Sequence, residues 1–143
     1  MNSGRPETYT VRDFFADVDR EFAFLVAELG FVRGSEVVGR RRAGPETNDP
    51  GQLLISDAAP LVRFGSGEIQ VSIGHDPRSE IQVLVRRPDR PPGSVDVEGM
   101  ARGAGAPNPS AYSGMYSSST VHPAEVLRRL AVGLRDLGID WLS

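Results

Sequence analysis

The chain has 143 residues and a net charge of −3, with 19 acidic residues and 16 basic ones, all of them arginine. This length fits one domain with its own core, residues 1–143, and the absence of cysteine excludes disulfides and thiolate chemistry. No apolar run approaches the ~20 residues that cross a bilayer, and the polar start lacks the apolar segment of a signal peptide, so we expect a cytoplasmic protein without membrane contact. Arginine in place of lysine suggests a GC-rich bacterial genome.

The first regular element is a helix. Residues 1–9 are expected to form a loose lead-in, and Thr10 with Asp13 three residues later predicts a capped helix start. Apolar residues then recur at steps of mostly three and four through about five turns, and Gly30 suits the helix end. These positions are Val11, Phe14, Phe15, Val18, Phe22, Leu25 and Leu29.

Two weaker strand signals follow. Glu36–Arg42 is the candidate first strand, and residues 43–51 are a loop by their Pro, Gly, Asn and Asp content. Leu53–Ile55 could form a short second strand. The stretch Asp57–Pro60 is expected to interrupt pairing or to bend the chain.

The region from Leu61 to Arg87 carries the clearest pattern. Apolar residues alternate with polar ones in three runs, which is typical of antiparallel strands with one buried face. A four-residue turn, Gly65–Glu68, would place Phe64 opposite Ile69, and a three-residue turn, Asp76–Arg78, would place Ile73 opposite Ile81. The alternating positions are Val62, Phe64, Ile69, Val71, Ile73, Ile81, Val83 and Val85.

The C-terminal third contains a second helix. Residues 94–100 could form a helical turn or an added strand, and residues 101–119 are expected to form a long mobile loop. Pro123 suits the first turn of a helix whose apolar stripe is Leu127, Leu130, Ala131, Leu134 and Leu137. The fold class is therefore α+β: an antiparallel four- to five-stranded meander with N-terminal and C-terminal helices packed on one face.

The sequence offers little chemistry. His75 and Asp76 could act as a general-base pair, but neighbours in a strand point to opposite faces, and Asp76-Pro77 fits turn chemistry. His122 fits a polar position beside a helix start. No Gly-x-Ser-x-Gly elbow is present, and the glycine strings lack the Lys-Ser/Thr of a phosphate loop. We therefore expect no catalytic residue, no metal, no cofactor and no enzymatic activity.

Two groups of residues are candidates for partner binding. The arginine runs Arg40, Arg41, Arg42 and Arg86, Arg87, Arg90 would form one patch for an anion or an acidic partner if their strands end at the same edge. The alternative is that they provide solubility and protect strand ends. Tyr112 and Tyr116 suit a contact surface, or their rings fold back on the core.

The order of elements resembles small bacterial α+β proteins of uncharacterised families, including immunity proteins of toxin systems. The resemblance is carried by Phe22–Phe31, the meander from Val62 to Val85, and Leu127–Leu142, and it implies a fold more than a function.

On this basis we expect a non-catalytic protein-binding module, such as an immunity-type or regulatory partner of a larger bacterial protein. A small-molecule binder or enzyme with a pocket between sheet and helices is the alternative. Nucleic-acid binding is disfavoured by the net charge of −3. Homodimerisation through a sheet edge is open.

Overall fold

The computed structural model describes residues 8–40, 49–117 and 120–143. The helices are α1 (Val11–Glu21), α2 (Ala23–Ala27), α3 (Val97–Gly103), α4 (Pro123–Leu137) and α5 (Ile139–Leu142), and the strands are β1 (Val32–Arg40), β2 (Ala58–Ser66), β3 (Ile69–Asp76), β4 (Glu80–Arg86) and β5 (Ser94–Asp96). The strands form one antiparallel sheet in the order β1-β2-β3-β4-β5.

One core lies between a single face of the sheet and the helices. Helix α1 packs against α4 and β2, and α4 packs against α3 and β4. The inward side chains of β2, β3 and β4 are buried together with the apolar stripes of α1 and α4. The predicted fold class, a meander with both terminal helices on one face, is confirmed.

The start of α1 is also as predicted, whereas its length is not. The Thr10 hydroxyl accepts from the Asp13 backbone N–H, and the Asp13 carboxylate accepts from the Thr10 N–H. The predicted five-turn helix is interrupted at Phe22, and α2 continues after it. The break allows Phe22, Phe24 and Leu25 all to be buried, which a single straight stripe would not achieve.

The end of the N-terminal lead-in is not loose. Tyr9 is fully buried, and its hydroxyl donates to the Asp17 carboxylate at 2.6 Å. Asp17, itself buried, also pairs with Arg20 at 2.7 Å. Burial and the hydrogen bond to Asp17 raise the pKa of Tyr9. Residues 1–7 of the predicted lead-in lie outside the described residues.

The first two strands differ from the prediction. Strand β1 begins at Val32 and its description ends at Arg40, so Arg41, Arg42 and most of the predicted loop lie outside the described residues. Leu54 makes only an isolated bridge with Thr10, between two 3-10 turns. The stretch Ala58–Pro60 opens β2 instead of interrupting it. Pro60 is tolerated because it pairs with β1 alone, β3 joining only at Leu61.

The predicted faces of the meander are correct, but both predicted registers are wrong by two residues. A two-residue turn at Gly67 and Glu68 places Phe64 opposite Val71. The loop 77–79 places Ile73 opposite Val83. A shift of two preserves every face, so the seven alternating residues from Val62 to Val85 other than Ile69 are buried and Ile69 is half-buried.

The C-terminal third is more regular than expected. Residues 94–100 form both alternatives, the strand β5 followed by α3. Where it is described, the predicted loop 101–119 contains the end of α3 and a 3-10 turn, Pro109–Tyr112. Helix α4 begins at Pro123 and is followed by Gly138, as predicted.

Candidate functional site: the open sheet face

The face of the sheet opposite the helices carries exposed apolar side chains. Val37 is 53% exposed and Leu84 is 41% exposed. Leu61 lies opposite Val37 on one side and Gly74 on the other. A Cβ at Gly74 would come within 3.1 Å of Leu61 Cδ1, so the leucine lies across the glycine.

Two arginines flank these apolar side chains. Arg63 follows Leu61 by two positions in β2, and Arg86 follows Leu84 by two in β4, so each shares the face of its leucine. Both are exposed, and neither forms a hydrogen bond or ion pair with any residue in the described ranges. Arg33, by contrast, bridges Asp19 and Glu36. We call the set Val37, Leu61, Arg63, Leu84 and Arg86 the open sheet face.

Arg40 and Arg86, one from each arginine run, lie at opposite ends of the sheet. Strands β1 and β4 run in opposite directions and are separated by β2 and β3. Arg40 therefore lies at the end of the sheet where β4 begins, and Arg86 lies at the other end, which Val32 shares. The described parts of the two strands therefore do not end at the same edge, as the six-arginine patch required. Arg86 belongs to the open sheet face, and Arg41 and Arg42 lie outside the described residues.

Arg87 and Arg90 contact the C-terminal helix α5. Arg87 Nη1 donates to the carbonyl oxygens of Asp140 at 3.0 Å and Ser143 at 2.7 Å. Arg90 Nη1 donates to the Asp140 carbonyl at 3.1 Å, and its guanidinium lies 4.2 Å from the centre of the Trp141 ring. Cations favour helix C-termini, so these two arginines hold α5 against the segment that follows β4.

The two tyrosines fold back on the core, which was the second alternative. Both are half-buried against it. The Tyr112 ring lies against α4, where a Cβ at Gly133 would come within 2.7 Å of the ring. The Tyr116 hydroxyl lies 2.7 Å from His75 Nε2, and burial raises the pKa of Tyr116 to about 12.

Residues 113–117, which we call the strap, cover part of the β4 edge. The Ile81 N–H donates to the Gly114 carbonyl at 2.9 Å, and the Tyr116 N–H donates to the Ser79 carbonyl at 3.1 Å. A Cβ at Gly114 would come within 1.6 Å of the Ile81 carbonyl oxygen. Only glycine fits at this position.

His75 is a residue whose role the sequence did not reveal. It is 4% exposed in β3, with the edge of Phe14 against its ring. Burial lowers its pKa to about 4, although Asp76 and the Ala58 backbone act weakly in the other direction. Asp76 instead accepts from the Arg78 backbone N–H at 2.8 Å, as turn chemistry predicts. Tyr116 is 41 residues from His75 in the sequence, and no local sequence pattern predicts such a contact.

His122 serves as a helix cap. Its Nδ1 accepts from the Ala124 N–H at 3.0 Å, and its ring meets Tyr9 edge-on at 5.0 Å between centroids. The expectation of a polar residue at a helix start is thus correct. Within the described ranges no three His, Cys, Asp or Glu side chains are grouped as metal ligands would be.

Among the concave regions beside the sheet, one lies next to Arg86 of the open sheet face, and two others lie between the sheet and the helices. The first of these two, of about 270 Å³, lies between β4 and α3. Two of its three carboxylates are engaged, since Asp96 accepts from the Gly99 N–H at 2.7 Å and Glu98 pairs with Arg102 at 2.7 Å. The third, Glu80, accepts from Gln82 Nε2 at 3.4 Å. The second, of about 510 Å³, lies between α1 and β1. Among the described residues that line these two regions, no hydrogen bond joins a hydroxyl nucleophile to a carboxylate.

Comparisons with protein-family models, with curated proteins and with solved structures gave no match. The described helices include none that is both long enough and apolar enough to span a membrane. The function must therefore be argued from this chain's own residues.

Proposed function

We propose that this protein is a non-catalytic protein-binding module whose open sheet face binds an acidic surface of a folded partner. An immunity-type or regulatory partner of a larger protein is the specific form of this role. The observation that carries the proposal is that Arg63 and Arg86 form no ion pair with any residue the structure describes and lie beside exposed apolar side chains.

The chemistry of this face suits a protein better than a small ligand. Small-molecule sites are concave and enclose most of the ligand. The residues of the open sheet face instead lie along the pleated surface of the sheet, and only Leu84 and Arg86 among them border a concave region described above. Arginine is enriched in protein interfaces and forms paired hydrogen bonds with carboxylates. Leu61, Leu84 and Val37 would supply apolar area at the centre of such a contact.

Several buried polar groups bond to one another within the fold, whereas His75 Nδ1 and His122 Nε2 are buried without a hydrogen-bond partner among the described residues. Tyr9, Asp17 and Arg20 bond to one another. His75 contacts Tyr116 and is neutral near pH 7, since its pKa is lowered to about 4. Among the described residues, none of these groups is presented to a cavity as a nucleophile with an adjacent base.

The proposal is tested by photo-crosslinking from residue 84 in cells that naturally make the protein. We expect one protein to be captured from Leu84 and not from Val132, an exposed position on α4. With the purified pair, the double variant R63E/R86E should weaken binding at least tenfold, about 1.4 kcal/mol. Arg129→Glu on α4 is the matched control and should bind as wild type.

Three results would contradict the proposal. Equal capture from residues 84 and 132 would show that the open sheet face is not the binding surface. Unchanged affinity of R63E/R86E would show that the two arginines do not contribute to binding. Capture of nucleic acid from residue 84, with an affinity that falls steeply with salt, would replace a protein partner with phosphate contacts.

A further inference from the structure

Strand β1 is the long edge of the sheet. The opposite edge strand, β5, has three residues and leads directly into α3. Among the described residues no segment other than β2 pairs with β1. Its pairing is irregular between Arg33 and Glu36 and regular from Glu36 to Arg40. The regular stretch from Glu36 to Arg40 is a template for another strand.

We propose that a second copy of this chain pairs with this edge, the two β1 strands running antiparallel about a two-fold axis at Val38. The resulting dimer would contain one continuous ten-stranded sheet. The inference concerns the edge of the sheet and does not rest on the partner proposed for its open face.

The register follows from symmetry and charge. Directly opposite residues share a face, so a symmetric antiparallel pair has its axis at a residue position. An axis at Val38 pairs all five regular residues, with Glu36 opposite Arg40 and Val37 opposite Gly39. Opposite charges at facing positions stabilise strand pairs. Glu36 already pairs with Arg33 of its own chain, and this register would add the position of Arg40 from the second copy.

The neighbouring registers are worse. An axis at Glu36 places two glutamates opposite each other, which is destabilising. An axis at Val37 places Glu36 opposite Val38 and extends the pairing into the irregular segment before Glu36. Only the axis at Val38 uses the whole regular stretch with complementary charges.

The groove between α1 and β1 favours the same arrangement. Val38 is half-buried and lines this groove together with Phe15 and Val11. Two copies of Val38 meeting at the axis would cover the open side of both grooves. The contact is smaller than a standard protein interface, so we expect weak association that is visible at high protein concentration.

The absence of cysteine allows a direct test of the register. We expect Val38→Cys to form a disulfide dimer under mild oxidation, because directly opposite Cβ atoms lie about 4.5–5.5 Å apart. Val37→Cys would lie diagonal to its own copy, at about 7–8 Å, and should cross-link at least fivefold more slowly. Val132→Cys on α4 is the control and should not cross-link. Equal rates for the three variants would overturn the register.

A charge exchange tests the same pairing without a covalent bond. Sedimentation should show that Glu36→Arg and Arg40→Glu each weaken the dimer and that E36R/R40E restores it. Glu68→Arg, in the turn after β2, is the matched control, and thermal melts must show that each variant is folded. A wild-type chain that stays monomeric at hundreds of micromolar would overturn the dimer. That result would leave partner binding at the open face intact, which R63E/R86E tests separately.

Discussion

His75 places a titratable ring inside an apolar layer. Burial holds its pKa at about 4 in the folded chain, against an ordinary value of about 6.5 in an unfolded one. Between these two values the unfolded chain binds a proton that the folded chain does not. The contribution of the neutral His75 ring to the free energy of unfolding is therefore full above pH 6.5 and is lost as the pH falls towards 4.

This imbalance predicts acid sensitivity that depends on one residue. From pH 7 to pH 4 the wild-type chain should lose up to about 3 kcal/mol of unfolding free energy through His75 alone. His75→Gln keeps a polar group near Tyr116 but takes up no proton, so its stability should fall less over the same range. Urea denaturation of both proteins at a series of pH values measures the difference.

Tyr116→Phe provides the control for this experiment. It removes the hydroxyl at His75 and should cost about 1 kcal/mol at neutral pH, while the acid-dependent loss persists. Parallel pH profiles for wild type and His75→Gln would show that the buried imidazole does not govern acid stability.

At the scale of the element, the strap depends on a glycine. Gly114→Ala would place a methyl group against the Ile81 carbonyl oxygen, so the strap must move and its two backbone hydrogen bonds with β4 and Ser79 would be lost. We expect a destabilisation of about 2 kcal/mol. Hydrogen exchange at the amides of Ile81 and Tyr116 should become faster.

Gly103→Ala is the matched control, because a Cβ at that position meets nothing within 4 Å. It lies in the last turn of α3 and should be neutral or slightly stabilising. If both variants exchanged at the same rate as wild type, the strap would not need its glycine.

The sequence predicted correctly the elements that are set by interactions between residues close together in the chain. Thr10 with Asp13 and Pro123 with Gly138 mark helix ends through hydrogen bonds within a few residues. Alternation assigned the faces of the meander but not its register, because shifts of two residues leave each side chain on the same face. Pro60 concealed the start of β2, since only the position of β3 reveals that its missing N–H is not needed there.

The candidate site was accessible to sequence reasoning only in part. Arg86 was among the predicted residues, whereas Arg63 stands alone in the sequence and became notable through its place in β2, on the same face of the sheet as Leu84 and Arg86. The relation between the two arginine runs depends on strand direction and order, which no spacing encodes. The contact of Tyr116 with His75 likewise depends on how the strap crosses β4.

For the whole molecule, the buried and exposed sides of α4 should differ sharply in how well they tolerate a charged substitution. Leu130 is 2% exposed and Val132 is 51% exposed on the same helix. Leu130→Asp buries a charge in the core shared by α1, α4 and the sheet, and should unfold the protein. Val132→Asp should change the unfolding free energy by less than about 0.5 kcal/mol.

Circular dichroism melts of both variants check this division. A folded Leu130→Asp protein that melts cooperatively at the wild-type temperature would mean that the helices do not share one apolar layer with the meander. Val71→Asp makes the same test from the sheet side, since Val71 is fully buried.

The order of the strands has a consequence for how the chain reaches its native state. Each strand pairs with its successor in sequence, so the sheet can grow from one hairpin outward without long excursions of the backbone. The bond between Arg135 and Glu28 joins residues 107 positions apart, and docking α4 beside α1 closes a loop of that order. Closing so long a loop costs chain entropy before the contact forms, and this cost slows the docking step. The meander should therefore assemble early, and the part of its apolar face that α4 covers stays exposed to solvent until that helix docks.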